Sequence, residues 1–183
     1  MICSVGEVME ARKILDAVKT ELRAEKLSFD AKIRVGAMIE TPAAAILTGQ
    51  LSAEVDFFSI GTNDLIQYLL TTDRTSAEVA TYYEPLHPAV LHMLKSVLET
   101  ARAKGKSISV CGEMAGNPAY TELLLGLGAR NFSLTPGEIP QIKKVIRSGN
   151  SQTAETLANA LLALRTIEEI KKSLSQRHPS RAA

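Results

Sequence analysis

The stretch Asp56-Phe57-Phe58-Ser59-Ile60-Gly61-Thr62-Asn63-Asp64-Leu65-Ile66-Gln67-Tyr68 begins as a short apolar run, breaks at Gly61 and resumes with helical spacing. Val55, Phe57, Phe58 and Ile60 read as a strand buried on both faces. Gly61 allows backbone angles that a side chain would resist. Thr62, Asn63 and Asp64 then stand where a following helix needs caps, and Leu65, Tyr68 and Leu69 continue its apolar face. Three polar residues are thereby held at the carboxyl end of a strand, where parallel α/β folds gather their ligands. A capped turn uses the same residue types, so spacing alone serves both readings equally.

Upstream, Met1-Ile2-Cys3 reads as the end of a strand. Ser4 with Glu7 forms a capping box for a helix from about residue 5 to 26, with Val8, Ala11, Leu15, Val18 and Leu22 on one face. Ile33–Ile39 suits a second buried strand. Glu40-Thr41-Pro42 ends it and starts an alanine-rich helix to about Ala53. Downstream, Thr71–Pro85 is the longest irregular stretch, long enough to fold over a site, with a helical turn in Ser76–Tyr82. His87-Pro88 opens an amphipathic helix that stops at Gly105. Ser107–Cys111 is a strand ended by Gly112, and Asn117-Pro118 starts a helix over Leu123–Leu127. Asn131–Leu134 is a short strand, and Ile139–Ile146 a basic-faced helix. Leu157, Leu161, Leu164, Ile167, Ile170 and Leu174 mark one long helix or a helix pair, with a loose tail after Gln176. Strand and helix alternate throughout, which predicts parallel α/β architecture. About five strands, the first a stub, fall short of the eight strands and ~250 residues of a (β/α)8 barrel. The chain therefore reads as the carboxyl-terminal part of a (β/α)8 TIM-type barrel, or as a smaller open sheet.

The 183 residues suffice for one domain with a substantial core. A net charge of +1 gives no electrostatic case for nucleic acid or an anionic membrane as partner. No apolar run approaches the ~20 residues of a membrane span. The absence of tryptophan weakens a base-stacking role further. Cys3 and Cys111 lack metal-ligand or redox spacing, so a reducing, cytoplasmic setting is expected.

Polar groups fall at the ends of separate strands: Glu40, Asn63-Asp64, and Cys111 with Glu113. A barrel draws its catalytic residues from several strand ends, so this distribution says more than any single turn. Glu40 and Asp64 would converge on one rim, and two carboxylates beside phosphate oxygens suit Mg²⁺. Each is equally a helix-start acid favoured by the macrodipole. Cys111 is either a small buried hydrophobe or an acid–base or nucleophilic thiol. Glu113 either orients the thiol or water or caps the helix beyond. Arg74 is either a solvated surface group or a bidentate clamp for carboxylate or phosphate. His87 reads as a helix cap rather than a base. The residues alone reach as far as an α/β enzyme handling a small anion with Mg²⁺.

The runs Met38-Ile39-Glu40-Thr41-Pro42-Ala43-Ala44-Ala45, Asp56 to Leu65 and Cys111-Gly112-Glu113-Met114-Ala115-Gly116 resemble enzyme I of the bacterial sugar phosphotransferase system, the phosphoenolpyruvate–protein phosphotransferases. The likeness runs in order from about Ile2 to Arg147 and includes Leu86-His87-Pro88-Ala89-Val90-Leu91 and Ile139-Pro140-Gln141-Ile142-Lys143. Pyruvate phosphate dikinase and phosphoenolpyruvate synthase share Gly61–Leu65 and Cys111-Gly112, but Ala115-Gly116 and Phe57–Ile60 favour enzyme I. The resemblance implies that Glu40 and Asp64 ligate Mg²⁺ bridging the phosphate and carboxylate of phosphoenolpyruvate. It implies that Asn63, Asp64 and Arg74 hold the substrate, and that Cys111 protonates the enolate carbon to give pyruvate. In the family the phosphoryl group passes to a histidine on a swivelling domain, then to a histidine-containing phosphocarrier protein, and the full-length enzyme is a homodimer.

The phosphohistidine half, the carrier-binding helices and the first barrel strands of that family have no match here. Met1 falls inside what the pattern makes a barrel strand, so a truncated frame, a split protein and a degenerate remnant are all consistent. The expected division is a partial phosphoenolpyruvate-binding barrel over 1–150 and carboxyl-terminal helices with a tail over 151–183. The leading expectation is the metal-binding and proton-donating part of a phosphotransferase site, with weak or no phosphotransfer by this chain alone. The alternative is a remnant acting through association, using the apolar stripe of 151–175. A different barrel lyase acting on a keto acid would leave the order of the motifs unexplained.

Overall fold

The alternation of apolar runs with amphipathic segments becomes a one-sheet α/β structure in the computed structural model, which describes residues 1–76 and 78–177. Among these residues, β1 (Gly36–Ile39), β2 (Phe57–Gly61), β3 (Ser107–Cys111) and β4 (Asn131–Phe132) form a parallel sheet in the order β1-β2-β3-β4. Each strand pairs with the next in sequence, and the order never reverses as it does in a doubly wound sheet. This is the order of consecutive βα units in a (β/α)8-type barrel, laid out as an arc of four strands. Parallel pairing puts every strand's carboxyl end on the same edge.

Helices α1 (Val5–Ala24), α2 (Pro42–Ile46), α3 (Thr48–Leu51), α4 (Thr62–Leu69), α5 (Pro88–Ala103), α6 (Glu113–Gly116), α7 (Pro118–Leu127), α8 (Ile139–Ser148), α9 (Ser151–Leu162) and α10 (Ile167–Arg177) connect and cover the strands. The capping box at Ser4 and Glu7 forms as expected, and Pro42, Pro88 and Pro118 all stand in first turns. The helix expected over residues 43–53 is broken at Leu47 into α2 and α3. The Thr48 hydroxyl donates to the carbonyls of Ala44 and Ala45, at 3.2 and 2.8 Å, and so competes with the helical ladder at the break. The helical turn expected in Ser76–Tyr82 is a 3-10 turn at Ala80–Tyr82.

The strands are covered on one face, not both. Ala37, Ile39, Phe58, Ile60, Ile108 and Val110 are buried beneath the helices. The alternate residues Met38, Phe57, Ser59, Ser109 and Cys111 are at most half-buried. Side chains alternate across a strand, and among the described residues only the helical side carries a packed layer. The expected strand over 33–39 is shorter: the Val35 amide donates to the Asp56 carboxylate at 2.7 Å, and Ile33 is exposed. Met1–Cys3 forms no strand. It touches the end of β1 through a side chain, as the Thr41 hydroxyl donates to the Ile2 carbonyl at 2.9 Å.

Val97, Leu98, Ala101, Leu123, Leu124 and Leu127 bring α5 and α7 into the core beneath the sheet. Leu157, Ala158, Leu161 and Ile170 bring α9 and α10 into the same core, so the helix pair expected after Asn150 buries its stripe on this chain. Gly126 lets α9 approach, since a Cβ there would meet the Ala154 carbonyl. The tail expected at the end of the chain lies, from residue 178 onward, outside the described residues.

At the amino ends of the strands, polar pairing fastens the arc. Lys106 Nζ donates to the Val55 carbonyl at 2.7 Å, and the Arg34 guanidinium lies 5.3 Å from the Phe57 ring centre. The Val35 amide holds the Asp56 carboxyl below its ordinary range, helped by Arg12, Arg34 and Lys106. This edge stabilises the fold, and the opposite edge is left for chemistry.

Candidate functional site

The residues that spacing offered as caps do not cap their own helix. Gly61 is the N-cap of α4, and no side chain caps that end. Thr62 instead donates to the Cys111 carbonyl at 2.7 Å, and the Asn63 side-chain carbonyl accepts from the Glu113 amide at 2.9 Å. Both polar side chains are spent on tying the end of β2 to the turn after β3. Gly112, at φ +91, is what lets that turn come so close. A Cβ there would collide with Thr62 Oγ1 and Asn63 Oδ1. Gly61, by contrast, has φ −85. Its smallness matters through close approach, because a Cβ would meet Met38 Sδ at 3.0 Å and Glu40 Oε2 at 3.1 Å.

That contact places the first carboxylate. Glu40 follows β1 directly and lies against Gly61 at the end of β2, and Asp64 stands in the first turn of α4. Both are half-buried, and neither side chain has a hydrogen bond or ion pair among the described residues. Two free carboxylates on adjacent strand ends form an acceptor-only oxygen set, which fits a hard cation that keeps several waters or substrate oxygens. No group of three or more His, Cys, Asp and Glu converges as a metal cage among the described residues.

Arg74, on the loop after α4, reaches back to the same rim and pairs with Glu113 at 3.0 Å. The two side chains are 38% and 72% exposed. A pair that open is worth about 0–1 kcal/mol, so a phosphate or carboxylate offering two oxygens can displace Glu113 at little cost. Gln67 orders the loop by accepting from the Arg74 amide at 3.2 Å. Asp73 folds back on Thr75, whose hydroxyl and amide hold its carboxyl below the ordinary range.

Cys111 ends β3, half-buried and free. Its thiol donates to the Ile60 carbonyl at 3.2 Å. The Ser59 hydroxyl lies 3.6 Å from the sulfur as donor, and Ser109 donates to Ser59 at 3.1 Å. This hydroxyl chain was missed in the sequence; the signal for it was Ser59 and Ser109 standing two residues before Gly61 and Cys111, on the same strand face. His87 does cap α5, accepting from the Ala89 amide at 3.1 Å. Glu40, Asn63, Asp64, Arg74, Cys111 and Glu113 thus share one rim, and His87 stays with its helix.

The chain is 45% identical over 176 residues to the phosphoenolpyruvate-protein phosphotransferase of Haemophilus influenzae, covering 96% of this chain and 31% of that protein. It is 42% identical over 171 residues to that of Lactococcus lactis subsp. cremoris, covering 93% of this chain and 30% of the relative. The chain thus spans about a third of the length of these curated relatives. A crystal structure of a citrate lyase from Burkholderia xenovorans LB400 superposes with a TM-score of 0.58 at 17% identity, over 98% of this chain and 62% of that one, a likeness of fold. Among the described residues no helix is long and apolar enough to cross a membrane. Residues 1–151 match the family described as PEP-utilising enzyme, PEP-binding domain, and the chain belongs to that family.

Proposed function

We propose that this chain supplies the metal-binding, phosphoenolpyruvate-binding and proton-donating part of a phosphoenolpyruvate–protein phosphotransferase site. The observation that supports this reading is the use of Thr62 and Asn63 to tie strand ends together, which leaves Glu40 and Asp64 as free carboxylates on the rim that carries Arg74 and Cys111. Glu40 and Asp64 would hold Mg²⁺, which when bound offsets the negative charge of the phosphate and carboxylate. Asn63, through the amide nitrogen its bond to Glu113 leaves over, and Arg74, released from Glu113, would orient the substrate. As the phosphoryl group leaves for a histidine nitrogen, the P–O bonding pair collapses to form the keto C=O. The C=C pair then takes the proton of the Cys111 thiol, giving pyruvate. The Ser59 hydroxyl, already aimed at the sulfur, would stabilise the thiolate until solvent returns the proton.

In this reading the phosphoryl acceptor and the phosphocarrier protein are partners of a longer assembly, homodimeric when complete and acting in the cytoplasm. In the same reading residues 1–150 would be the partial barrel, and the residues from 151 onward the carboxyl-terminal helices. Titration calorimetry with phosphoenolpyruvate and Mg²⁺ tests it. Saturable, metal-dependent binding by the chain, lost in Asp64→Ala, is the expected outcome. Binding that survives Asp64→Ala, or is absent up to millimolar ligand, would reject it.

A further inference from the structure

On the sheet face opposite the helices, parallel register pairs Ser59 of β2 with Ser109 of β3, and Gly61 with Cys111. Two hydroxyls and a thiol form a line there. The Ser109 hydroxyl donates to Ser59 Oγ at 3.1 Å, the Ser59 hydroxyl to Cys111 Sγ at 3.6 Å, and the Cys111 thiol to the Ile60 carbonyl at 3.2 Å. A hydroxyl can donate in either direction along such a line, but a main-chain carbonyl only accepts. The Ile60 carbonyl therefore sets the polarity. The thiol proton is directed at it, the sulfur is left to accept from Ser59, and Ser59 Oγ to accept from Ser109. Both hydroxyls then point towards the sulfur. Once the thiol is deprotonated the same orientation is the favourable one, so neither hydroxyl has to turn.

We propose that Ser59 and Ser109 are positioning residues for Cys111, a one-way line of O–H donors that stabilises its thiolate, with Ser109 acting through Ser59. Both serines are half-buried, where a hydrogen bond weighs more than in open water. A hydroxyl that accepts one bond also donates the next more strongly, which is how Ser109 reaches a sulfur it does not touch. The ionisable groups on the elements flanking the thiol are Glu40 after β1, Asp64 and Tyr68 of α4, and Glu113 of α6 with its partner Arg74; β4 brings none. All of these stay in place when a serine is replaced, so their fields are common to every protein compared. This rests on Cys111 being the proton donor of the proposed site: the thiolate left after the enolate carbon is protonated is the species the line stabilises.

The thiol can be read without ligand. The full chain is alkylated with iodoacetamide across a range of pH, and Cys111 and the exposed Cys3 are followed separately by peptide mass spectrometry, Cys3 serving as internal control. Thiolate is the reacting form, so each pH profile reports how readily it forms. We expect Ser59→Ala to displace the Cys111 profile to higher pH and to slow its reaction at neutral pH by about threefold or more, with no fall in the plateau at high pH. Ser109→Ala should displace it the same way by less, and Ser59→Thr, which keeps a hydroxyl, should restore the wild-type profile. Because Ser109 acts through Ser59, the double alanine variant should match Ser59→Ala alone. An unmoved Cys111 profile in either alanine variant overturns the role of the line, as do additive displacements in the double variant. A lower plateau with an unmoved midpoint would mean altered access to the sulfur, and a Cys3 profile displaced alongside would mean a general disturbance of the chain; either overturns it as well. Phosphoenolpyruvate binding is measured separately by calorimetry. A chain that fails to bind rejects the site reading, while a displaced Cys111 profile still upholds the hydroxyl line.

Discussion

At the residue scale, the rim depends on two glycines for different reasons. Gly112 has a positive φ and also faces Thr62 and Asn63 across a gap that a methyl group would close. Gly112→Ala therefore adds backbone strain to a steric clash and should destabilise the fold by about 2–3 kcal/mol. The midpoint of urea unfolding measures it, and a shift near zero would mean that the turn relaxes freely. Gly61 lies in an ordinary region of φ and is limited only by Glu40 and Met38. The importance of both glycines was legible in the sequence, because each follows an apolar run. Their separate reasons were not, because the atoms each must avoid belong to other strands.

At the element scale, the revealing contact is between α10 and the loop before α5. Lys171 is held above its ordinary range chiefly by its hydrogen bond to Glu84, and the Tyr120 phenol, half-buried, is raised by burial and then by Glu84. Lys171→Met keeps the stem of the side chain and removes the charge. Hydrogen exchange of the amides around 83–87 should speed up in that variant, while amides of β2 and β3 keep their protection. Exchange unchanged in the loop would mean that packing alone holds it. From the sequence, α10 was readable as an amphipathic segment, since Ile167, Ile170 and Leu174 keep helical spacing. Its pairing with Glu84 was not, because the two charges stand 87 positions apart and each looks like an ordinary surface group.

At the scale of the whole molecule, the titrating groups define an alkaline limit. The folded-state values of Tyr83 and Lys171 are raised, the first to about 12. The folded chain therefore holds these protons to higher pH than the unfolded chain does. The contribution of Tyr83 is intact below the unfolded tyrosine value of 10.0 and is lost as pH rises through about 12, and that of Lys171 is lost above the unfolded lysine value of 10.5. Unfolding midpoints should decline over that window, and less steeply in Tyr83→Phe. A decline of identical slope in the variant would place the loss elsewhere. The acid side carries the opposite sign: Asp56 and Glu7, held low by backbone amides, give up their contribution as pH falls through their folded values.

The sequence by itself determined the parallel α/β class, the boundaries of β3, the capping of α1 and α5, and the clustering of chemistry-bearing residues at strand ends. These follow from local rules: side-chain period, capping geometry and the conformational limits of proline and glycine. Tertiary structure alone decided that Thr62 and Asn63 serve a neighbouring strand rather than their own helix, that the sheet is covered on one face, and that the Tyr83 hydroxyl is buried without a partner among the described residues. A local pattern states what a residue can do. Which of its possible partners it meets depends on chain closure over dozens of residues, and no window of the sequence contains both ends of such a contact.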